Sequence, residues 1–346
     1  MKIKLKIAHI HVWDKNNKGD VAIVLAVQEL LKKYLGAIEI VDFPVEFLKC
    51  AREHDIKRLN SCALAVIGGG GIYYHYFLPY CGAIIKKIKI PLVIFGVGYI
   101  REIGARALTR QERESVAFLN NQAALISVRD NYSKQFLAAN GVRKSNISVI
   151  GDPAIFLTER KCEVQKQNSK VKIGLNLNYA GWLGFGQHKS EILSAYAQAA
   201  DYFQKNHDAQ LYYFLHHPGE KVILKELPIK NLIIIDVAIR EQKYIYSQLD
   251  IMIGMMLHSC VLAFGAGTPE INVAYDIRNK NFARFIGLPE LFVALDELKE
   301  GILLERAKKV FQARERYRQQ FSLKKNKIWQ KHEQFLQKIQ KLISSL

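Results

Sequence analysis

Short apolar runs alternate with amphipathic helical patterns along almost the whole sequence, and this alternation restricts the fold more than any other feature. Residues 4–10 and 62–67 are apolar runs of strand length, whereas residues 20–34 repeat apolar side chains at helical spacing. Strands that alternate with helices form parallel sheets, because parallel neighbours need a long crossover connection. The pattern therefore predicts an α/β fold. The further predicted strands are residues 38–41, 91–95, 124–128, 147–150, 173–177, 211–215, 232–235, 251–254 and 271–274.

One polar segment divides this pattern. Residues 158–171 are charged and polar and carry no apolar periodicity, and the alternation resumes after them. A chain of 346 residues is long enough for two domains of ordinary size. We therefore predict two Rossmann-like domains that face a cleft, over residues 1–157 and 172–296, joined by this linker. Basic C-terminal helices are predicted over residues 297–346.

The net charge is strongly positive and uneven. The chain has 50 Lys and Arg residues against 32 Asp and Glu residues, a net charge of +18. Residues 301–346 hold twelve of the basic residues and three of the acidic ones, which is half of the excess. An anionic membrane surface, nucleic acid and a solvated helix face each account for such a tail. No RNA-binding or DNA-binding motif is present, so we expect no nucleic acid partner.

The C-terminal segment also carries an apolar stripe at helical spacing. Such a stripe either lies in a membrane interface with basic side chains beside it, or packs back on the first domain. The sequence leaves both arrangements open. The stripe consists of Ile328, Trp329, Phe335, Leu336, Ile339, Leu342 and Ile343.

Cysteine spacing and hydropathy indicate the cellular compartment of the protein. Five cysteines are scattered without a CxxC pair, which argues against a structural zinc site or a disulfide framework and fits a reducing cytosol. No run of about 18 apolar residues is present, so no transmembrane helix is expected. The start of the chain lacks the apolar core of a secretory signal and is typical of a first strand. We therefore expect a cytoplasmic protein.

Residues 249–282 combine a candidate acid–base group with cations. The segment is typical of strand, turn, helix, turn, strand and basic loop, and His258 begins the helix. Ligands collect at the carboxyl ends of parallel strands, where the second strand brings Tyr275, Arg278 and Lys280. A helix N-terminus favours the neutral imidazole, which can accept a proton. Catalysis on an anionic substrate is one interpretation; a buried structural histidine with solvated cations is the other.

Two glycine-containing turns follow predicted strands of the first half. Gly19 allows a tight turn before the first helix, and Asp20 is placed to cap that helix. Residues 68–71 are four consecutive glycines, which we expect to open a helix and bring backbone N–H groups near a phosphate or carboxylate. Gly98 ends the next strand and is expected at the same edge. An ordinary turn at each position is the competing interpretation.

A cation and two imidazoles follow other predicted strands. Arg129 is placed either to clamp an anion or to pair with Asp130 or Asp152. His216 and His217 end a strand of the second half, and no carboxylate or cysteine stands at a supporting spacing, so no metal is expected there. We expect one of these two histidines to donate a hydrogen bond into the cleft.

Together these pieces resemble the polysaccharide pyruvyl transferase family. They occur in the family's order and cover about residues 10–290. The resemblance implies a fold similar to GT-B glycosyltransferases. It also implies transfer of pyruvate from phosphoenolpyruvate to a sugar as a ketal, with no other cofactor and no metal. The matching pieces are Asn17-Lys18-Gly19-Asp20, the glycines at 68–71, Gly96-Val97-Gly98, Ser127-Val128-Arg129-Asp130, Asp152-Pro153, Met256-Leu257-His258, residues 263–269 and Tyr275-Asp276-Ile277-Arg278.

The family's arginine–leucine–histidine motif falls on residues 256–258. In the family this arginine is expected to bind the anionic donor, and Met256 stands in its place. The family's basic residue after the tyrosine strand is Arg278 here, so that charge is kept. Arg278, Lys280 and Arg129 are the candidates to replace the charge that Met256 lacks.

The resemblance implies an enzyme that pyruvylates a sugar or lipid-linked glycan of a cell-surface or exported polysaccharide, in the cytoplasm or at the inner face of the membrane. It places the acceptor on the first domain and the donor on the second. Two alternatives stay open: a glycosyltransferase of the same fold that uses a nucleotide sugar, and a weakened family member that binds glycan or serves as a scaffold. The expected catalytic residues are His258 and Arg278. The expected substrate-binding residues are Asn17, Gly19, Asp20, Gly69, Gly70, Gly71, Tyr73, Gly98, Arg129, His216, His217, Leu257, Ser259, Tyr275 and Lys280.

Overall fold

Two parallel sheets carry the fold in the computed structural model, which describes residues 5–102, 104–163, 171–178, 186–274 and 276–345. The strands of the first sheet are β1 (Leu5–His11), β2 (Ile38–Pro44), β3 (Leu64–Gly68), β4 (Leu92–Val97), β5 (Leu125–Val128) and β6 (Ile147–Val149), in the order β2-β1-β3-β4-β5-β6. The helices of this half are α1 (Lys18–Leu35), α2 (Phe47–Cys50), α3 (Glu53–Asn60), α4 (Gly82–Lys86), α5 (Arg110–Gln122) and α6 (Asn131–Ala139).

The second sheet repeats this organisation. Its strands are β7 (Val171–Asn176), β8 (Ala209–Phe214), β9 (Leu232–Ile235), β10 (Ile251–Gly254), β11 (Glu270–Val273) and β12 (Phe292–Val293), in the order β12-β11-β10-β7-β8-β9. The helices of this half are α7 (Lys189–His207), α8 (Glu220–Leu224), α9 (Ile239–Tyr246), α10 (Leu257–Ala266), α11 (Ile277–Phe285), α12 (Ile302–Gln312) and α13 (Arg314–Ser344). The predicted α/β fold with two Rossmann-like halves and a long C-terminal helix is confirmed.

Because these strands are buried on both faces of their sheets, they could be predicted from the sequence. Ile7 packs on one face of the first sheet with Val27 of α1, while Ala8 packs on the other face with Phe47 of α2 and Val116 of α5. Strands of parallel sheets are covered on both faces and therefore become continuous apolar runs. The predicted linker ends where β7 begins, and its residues 164–170 lie outside the described residues. The predicted domain boundaries stay predictions.

Two local predictions of secondary structure are wrong. The four glycines at 68–71 do not open a helix, since the chain is irregular after β3 until α4 begins at Gly82. Gly69 and Gly70 instead hold φ angles of +93° and +89°, a region that other residues rarely adopt. The predicted basic loop at 278–282 is the first part of α11, whose N-cap is Asp276. This carboxylate accepts from the backbone N–H of Arg278, which starts a helix where the charge pattern indicated a loop.

The C-terminal helix α13 packs across both halves. Near its start Phe321 contacts Phe264 of α10, with ring centres 4.8 Å apart. Further along, Phe335 stacks on Phe95 of β4 at 5.7 Å, and Leu336 is fully buried beside it. The apolar stripe therefore packs on the first half, which is one of the two arrangements that the sequence left open. No helix in the described part of the chain combines the length and apolar character needed to span a bilayer.

An apolar interface joins the two halves near the start of α1. Ala22 and Ile23 belong to the same buried cluster as Leu257 of α10. Lys243 of α9 donates from its buried ammonium to the carbonyl oxygens of Ile155 and Leu157, at 2.7 Å each. Burial lowers the pKa of Lys243 to about 7, and the two carbonyl acceptors satisfy the ammonium where water is excluded. The apolar cluster and the Lys243 hydrogen bonds thus hold the two halves together.

Candidate functional site

The loop between β1 and α1 crosses to the second half of the chain. The side-chain oxygen of Asn17 accepts from the backbone N–H of Gly19 at 3.0 Å, so Asn17 rather than Asp20 caps α1. The next residue, Lys18, donates from its backbone N–H to the carbonyl of His216 at 2.9 Å and pairs with Asp236 at 2.8 Å. The predicted cap was therefore off by three positions, but the loop does reach the cleft.

Gly19 lies directly against His258. A Cβ atom on Gly19 would stand 2.3 Å from Nδ1 of His258, a distance that no real contact shows. His258 is the second residue of α10 and is 9% exposed. The glycine therefore lets the first turn of α1 approach an imidazole from the other half. The prediction that His258 begins a helix is confirmed.

A buried carboxylate of the first half faces His258. Nε2 of His258 lies 3.7 Å from Oδ2 of Asp152, slightly beyond direct hydrogen-bond distance, while Oδ1 accepts from the backbone N–H of Ala154 at 3.0 Å. Burial by itself would raise the pKa of Asp152, but His258, Arg129 and this N–H together hold it below the usual value. Asp152 is thus an ionised partner that can orient the imidazole and stabilise its protonated form.

Arg129 brings a guanidinium to the same carboxylate. It follows β5, is 4% exposed, and its Nη1 lies 3.8 Å from Asp152, with Nε 3.5 Å from Asp130. Neither Nη1 nor Nη2 has a hydrogen-bond acceptor among the described residues. Gly98 makes this placement possible, because a Cβ there would stand 2.2 Å from Nε of Arg129. A buried guanidinium with two such nitrogens is suited to an anion.

Asp20 and Arg278 complete the cluster. Burial raises the pKa of Asp20, and the nearby positive charges of His258, Arg278 and Arg129 oppose that rise. Arg278 is ion-paired through its guanidinium with the carboxylate of Asp276. The structure therefore unites an imidazole, the carboxyl groups of Asp20 and Asp152, and two guanidinium groups from both halves. Chemically, this set can bind an anion and move a proton beside it.

Tyr74 and Glu102 lie near Arg278, and neither was predicted from the sequence as a site residue. The hydroxyl of Tyr74 donates to the carboxylate of Glu102, whose backbone forms an isolated bridge with Asp276. Burial, together with the Glu102 hydrogen bond, raises the pKa of Tyr74 far above its ordinary value, so the phenol stays protonated. The only signal for Tyr74 in the sequence is that it closely follows the glycines at 68–71. Asp152 did carry a signal, because it follows a predicted strand and precedes a proline.

Several predicted site residues have other partners. Tyr73 is fully buried and donates to Asn120 at 2.8 Å, and Ser259 donates to the carbonyl of Met256 at 2.7 Å. Lys280 is exposed, with its ammonium 5.9 Å from the centre of the Phe292 ring. These side chains therefore make contacts within their own half. The predicted site residue Tyr275 lies outside the described residues.

The two adjacent histidines after β8 are held differently. His216 is fully buried, and its Nε2 lies 2.7 Å from the hydroxyl of Tyr246. Burial lowers the pKa of His216 well below its ordinary value, and the charges of His258 and Lys18 lower it further. His217 accepts at Nδ1 from the backbone N–H of Gly219 at 3.0 Å. His216 is thus a neutral neighbour of His258.

The remaining glycines of the predicted site create close packing. A Cβ on Gly69 would stand 2.6 Å from the side chain of Ile23, and one on Gly71 would stand 2.1 Å from Ile100. Gly70 lies nearer the cluster, since its Cβ would stand 3.4 Å from the Asp20 carboxylate. Leu257 lines the narrow cavity that also contains Arg129, Asp152 and Arg278.

Comparison with known proteins identifies a matching family. The sequence model of the polysaccharide pyruvyl transferase family matches residues 17–277. No curated protein is significantly similar in sequence. Similar solved structures include a putative UDP-N-acetylglucosamine 2-epimerase from Listeria monocytogenes, at 13% identity and a TM-score of 0.59, which covers 92% of this chain and 91% of that chain.

Two further solved structures show the same architecture. MnaA of S. aureus with UDP is 12% identical, with a TM-score of 0.60 and coverage of 92% of this chain and 91% of that chain. Alr3699/HepE of Anabaena with UDP-glucose is 13% identical, with a TM-score of 0.57 and coverage of 99% and 100%. At these identities the likeness shows the two-domain, GT-B-like fold alone.

Proposed function

Because the chain belongs to the polysaccharide pyruvyl transferase family, we propose that it transfers pyruvate from phosphoenolpyruvate to a sugar of a polysaccharide precursor. The observation that carries this proposal is the meeting of His258 with Asp152 and the buried Arg129 between the two halves. Phosphoenolpyruvate bears a phosphate and a carboxylate, so its site needs cations as well as an acid–base group. Both kinds of group lie in this cluster.

Arg129 is the best-placed substitute for the charge that Met256 lacks. Met256 is buried at the start of α10, and its carbonyl accepts from Ser259. Arg129 presents two buried nitrogens without acceptors among the described residues, whereas Arg278 is paired with Asp276 and Lys280 is exposed. We therefore assign one anionic group of the donor to Arg129 and the other to Arg278.

His258 and Asp20 divide the proton transfers in this proposal. A sugar hydroxyl adds to C2 of the enol, and a proton is delivered to the methylene carbon, which becomes the methyl group of pyruvate. A second hydroxyl then displaces phosphate and closes the ketal, and its proton leaves with the phosphate. His258 accepts a hydroxyl proton while Asp152 stabilises the resulting imidazolium. Asp20, whose pKa burial raises, is the proposed donor to the methylene carbon.

The proposed acceptor is a sugar of a lipid-linked glycan, and the proposed location is the cytoplasm at the inner face of the membrane. Since the apolar stripe of α13 is packed inside the protein, membrane contact would rest on charge alone. Such contact is worth about 1 kcal/mol per basic residue at an anionic surface. The exposed basic residues of α13 include Lys327, Lys331, Lys338 and Lys341.

The test is incubation with carbon-labelled phosphoenolpyruvate and a crude lipid-linked glycan extract of the source organism. Expected are labelled glycan and an equal amount of inorganic phosphate, with both reduced about 100-fold or more in His258→Gln and little change in melting temperature. Phosphate without labelled glycan contradicts the proposal. Transfer of sugar from labelled UDP-glucose instead supports the nucleotide-sugar alternative, and glycan binding without turnover supports the scaffold alternative.

Donor binding is tested separately by calorimetry with phosphoenolpyruvate. Arg129→Met is expected to weaken binding about tenfold or more, whereas Arg110→Met, at a side chain that is 88% exposed, serves as the matched control. Met256→Arg is expected to change the affinity little, because Arg129 already supplies the charge. A large gain in affinity in Met256→Arg would mean that the donor site of this chain is weakened.

A further inference from the structure

Two histidines and one aspartate converge near the carboxyl ends of β1 and β2, beside Gln28 of α1. Nε2 of His11 lies 3.1 Å from Oδ1 of Asp42, and Nδ1 of His9 lies 3.9 Å from the same oxygen. Each of the three residues offers a ligand atom within 4.8 Å of a ligand atom of the other two. The proposed transfer reaction uses none of them.

One hydrogen bond of each imidazole places a proton on the ring nitrogen that points away from Asp42. Nε2 of His9 lies 3.0 Å from the carbonyl oxygen of Gly68, and Nδ1 of His11 lies 2.8 Å from the carbonyl oxygen of Val12. Carbonyl oxygens only accept, so each of these ring nitrogens carries the proton. A histidine that binds a metal usually donates its other N–H to a carbonyl or carboxylate in this way.

Gln28 of α1 orients the aspartate. Its side-chain amide donates to Oδ1 of Asp42 at 2.7 Å and lies 3.3 Å from Nδ1 of His9. This contact again makes Nδ1 of His9 an acceptor. The amide therefore holds the carboxylate beside both nitrogens. Nε2 of His11 lies within hydrogen-bond distance of Oδ1 of Asp42, so a bound ion would replace the proton that joins these two atoms.

We propose that Nδ1 of His9, Nε2 of His11 and a carboxylate oxygen of Asp42 bind one divalent metal ion of the zinc class. Tetrahedral bonds of about 2.0–2.2 Å place neighbouring ligand atoms about 3.3–3.6 Å apart, which the 3.1 Å and 3.9 Å separations bracket. An open pocket lined by Trp13 and Lys15 adjoins His11 and Asp42 and leaves room for water as the fourth ligand. The sequence expectation of no metal considered His216 and His217 and missed this group.

The ion would fix the base of the loop that reaches the second half. His11 is the last residue of β1, and the loop continues through Trp13, whose indole stacks on His11 at 5.2 Å and 7°. That loop ends at Asn17, the cap of α1. The proposed role of the ion is to position the loop between His11 and Asn17. Its binding can be measured without turnover.

The test is titration of the purified chain with Co²⁺, whose visible absorption reports tetrahedral coordination, and with Zn²⁺ in competition. One equivalent is expected per chain, with binding about 100-fold weaker in Asp42→Ala and His11→Gln. His54→Gln is the matched control, because His54 and Asp55 form a surface pair at 3.1 Å without a third ligand. Zn²⁺ should raise the melting temperature of the parent and the control alone.

Circular dichroism establishes that each variant is folded before titration. The proposal is overturned if the parent chain gives no tetrahedral spectrum, or if Asp42→Ala and His11→Gln bind Co²⁺ as tightly as the parent does. Either result would mean that His11 and Asp42 form an ion pair only. Failure of the pyruvyl transfer assay leaves this test intact, since Co²⁺ binding needs no substrate.

Discussion

His332 should make this protein acid-sensitive. It lies on α13, is fully buried, and packs against the rings of Phe95 and Phe156 at 6.1 Å and 4.9 Å. Its Nδ1 contacts the carbonyl of Ile328 at 3.2 Å, while Nε2 has no hydrogen-bond partner among the described residues. Burial lowers the pKa of His332 from 6.5 to about 4. The folded chain therefore keeps this ring neutral where the unfolded chain protonates it.

The sign and size of the effect follow from linkage. Between about pH 6.5 and about pH 4 the unfolded state binds the proton and the native state does not, so the free energy of unfolding falls as the pH falls. Each pKa unit corresponds to about 1.4 kcal/mol, so the loss from this one histidine is roughly 2 kcal/mol at about pH 5 and roughly 3 kcal/mol at about pH 4. Above about pH 7 His332 is neutral in both the folded and the unfolded chain, so it no longer lowers the free energy of unfolding.

The measurement compares the parent with His332→Gln in urea unfolding at about pH 7.5 and about pH 5. Trp329 lies on the same helix, next to Phe156, so its fluorescence reports the undocking of α13. Because glutamine does not titrate, the variant should lose roughly 2 kcal/mol less than the parent over this pH range. His54→Gln, at an imidazole that is 70% exposed, should follow the parent. Equal pH dependence in the parent and in His332→Gln would refute the reasoning.

Two further substitutions probe the packing around the site. Gly19→Ala places a Cβ 2.3 Å from Nδ1 of His258, so the imidazole must move. This displacement should lower pyruvyl transfer about 100-fold. The melting temperature should change little, because the preference of alanine for a helix, up to about 1 kcal/mol, offsets the cost of the displacement. Gly82→Ala, whose Cβ meets nothing closer than 3.7 Å, is its control, and equal activity of the two would contradict the packing account. Phe335→Ala removes the ring stacked on Phe95 and should cost about 3–5 kcal/mol of unfolding free energy. Leu323→Ala, 65% exposed, should stay within about 0.5 kcal/mol of the parent in the same urea titration.

The sequence predicted the strands well for a physical reason. Parallel strands are buried on both faces, so β3 and β10 are continuous apolar runs that stand out from the helices. Local signals near turns were less reliable. The glycine run after β3 was expected to open a helix, yet its positive φ angles at Gly69 and Gly70 serve close packing instead. At the start of α1 three capping candidates, Asn16, Asn17 and Asp20, stand within five residues, and only the fold selects Asn17.

The site was predicted in parts and not as an assembly. His258, Arg129 and Arg278 each follow a strand, which is a signal that the sequence carries. Arg129 lies near both Asp130 and Asp152 because β5 and β6 are neighbours in the first sheet. That these groups also meet His258 depends on how the two halves close, and no pattern along the chain encodes that. The histidines of β1 were hidden for another reason. His9 and His11 alternate with apolar residues and have the spacing of an ordinary buried strand, so only the pairing of β1 with β2 brings Asp42 beside them.

The assembly of the site from both halves gives the C-terminal helix a role in it. Arg129 and Asp152 follow β5 and β6, whereas His258 and Arg278 follow β10 and β11, so the cluster exists only while the halves stay closed. The closure is held at Lys243 and by α13, which packs on Phe264 in one half and on Phe95 in the other. Under the proposed function, a donor held jointly by Arg129 and Arg278 would bridge the two halves and favour the same closed state. Loosening α13 should therefore weaken donor binding from a distance, although no residue of the stripe lines the cavity around Arg129.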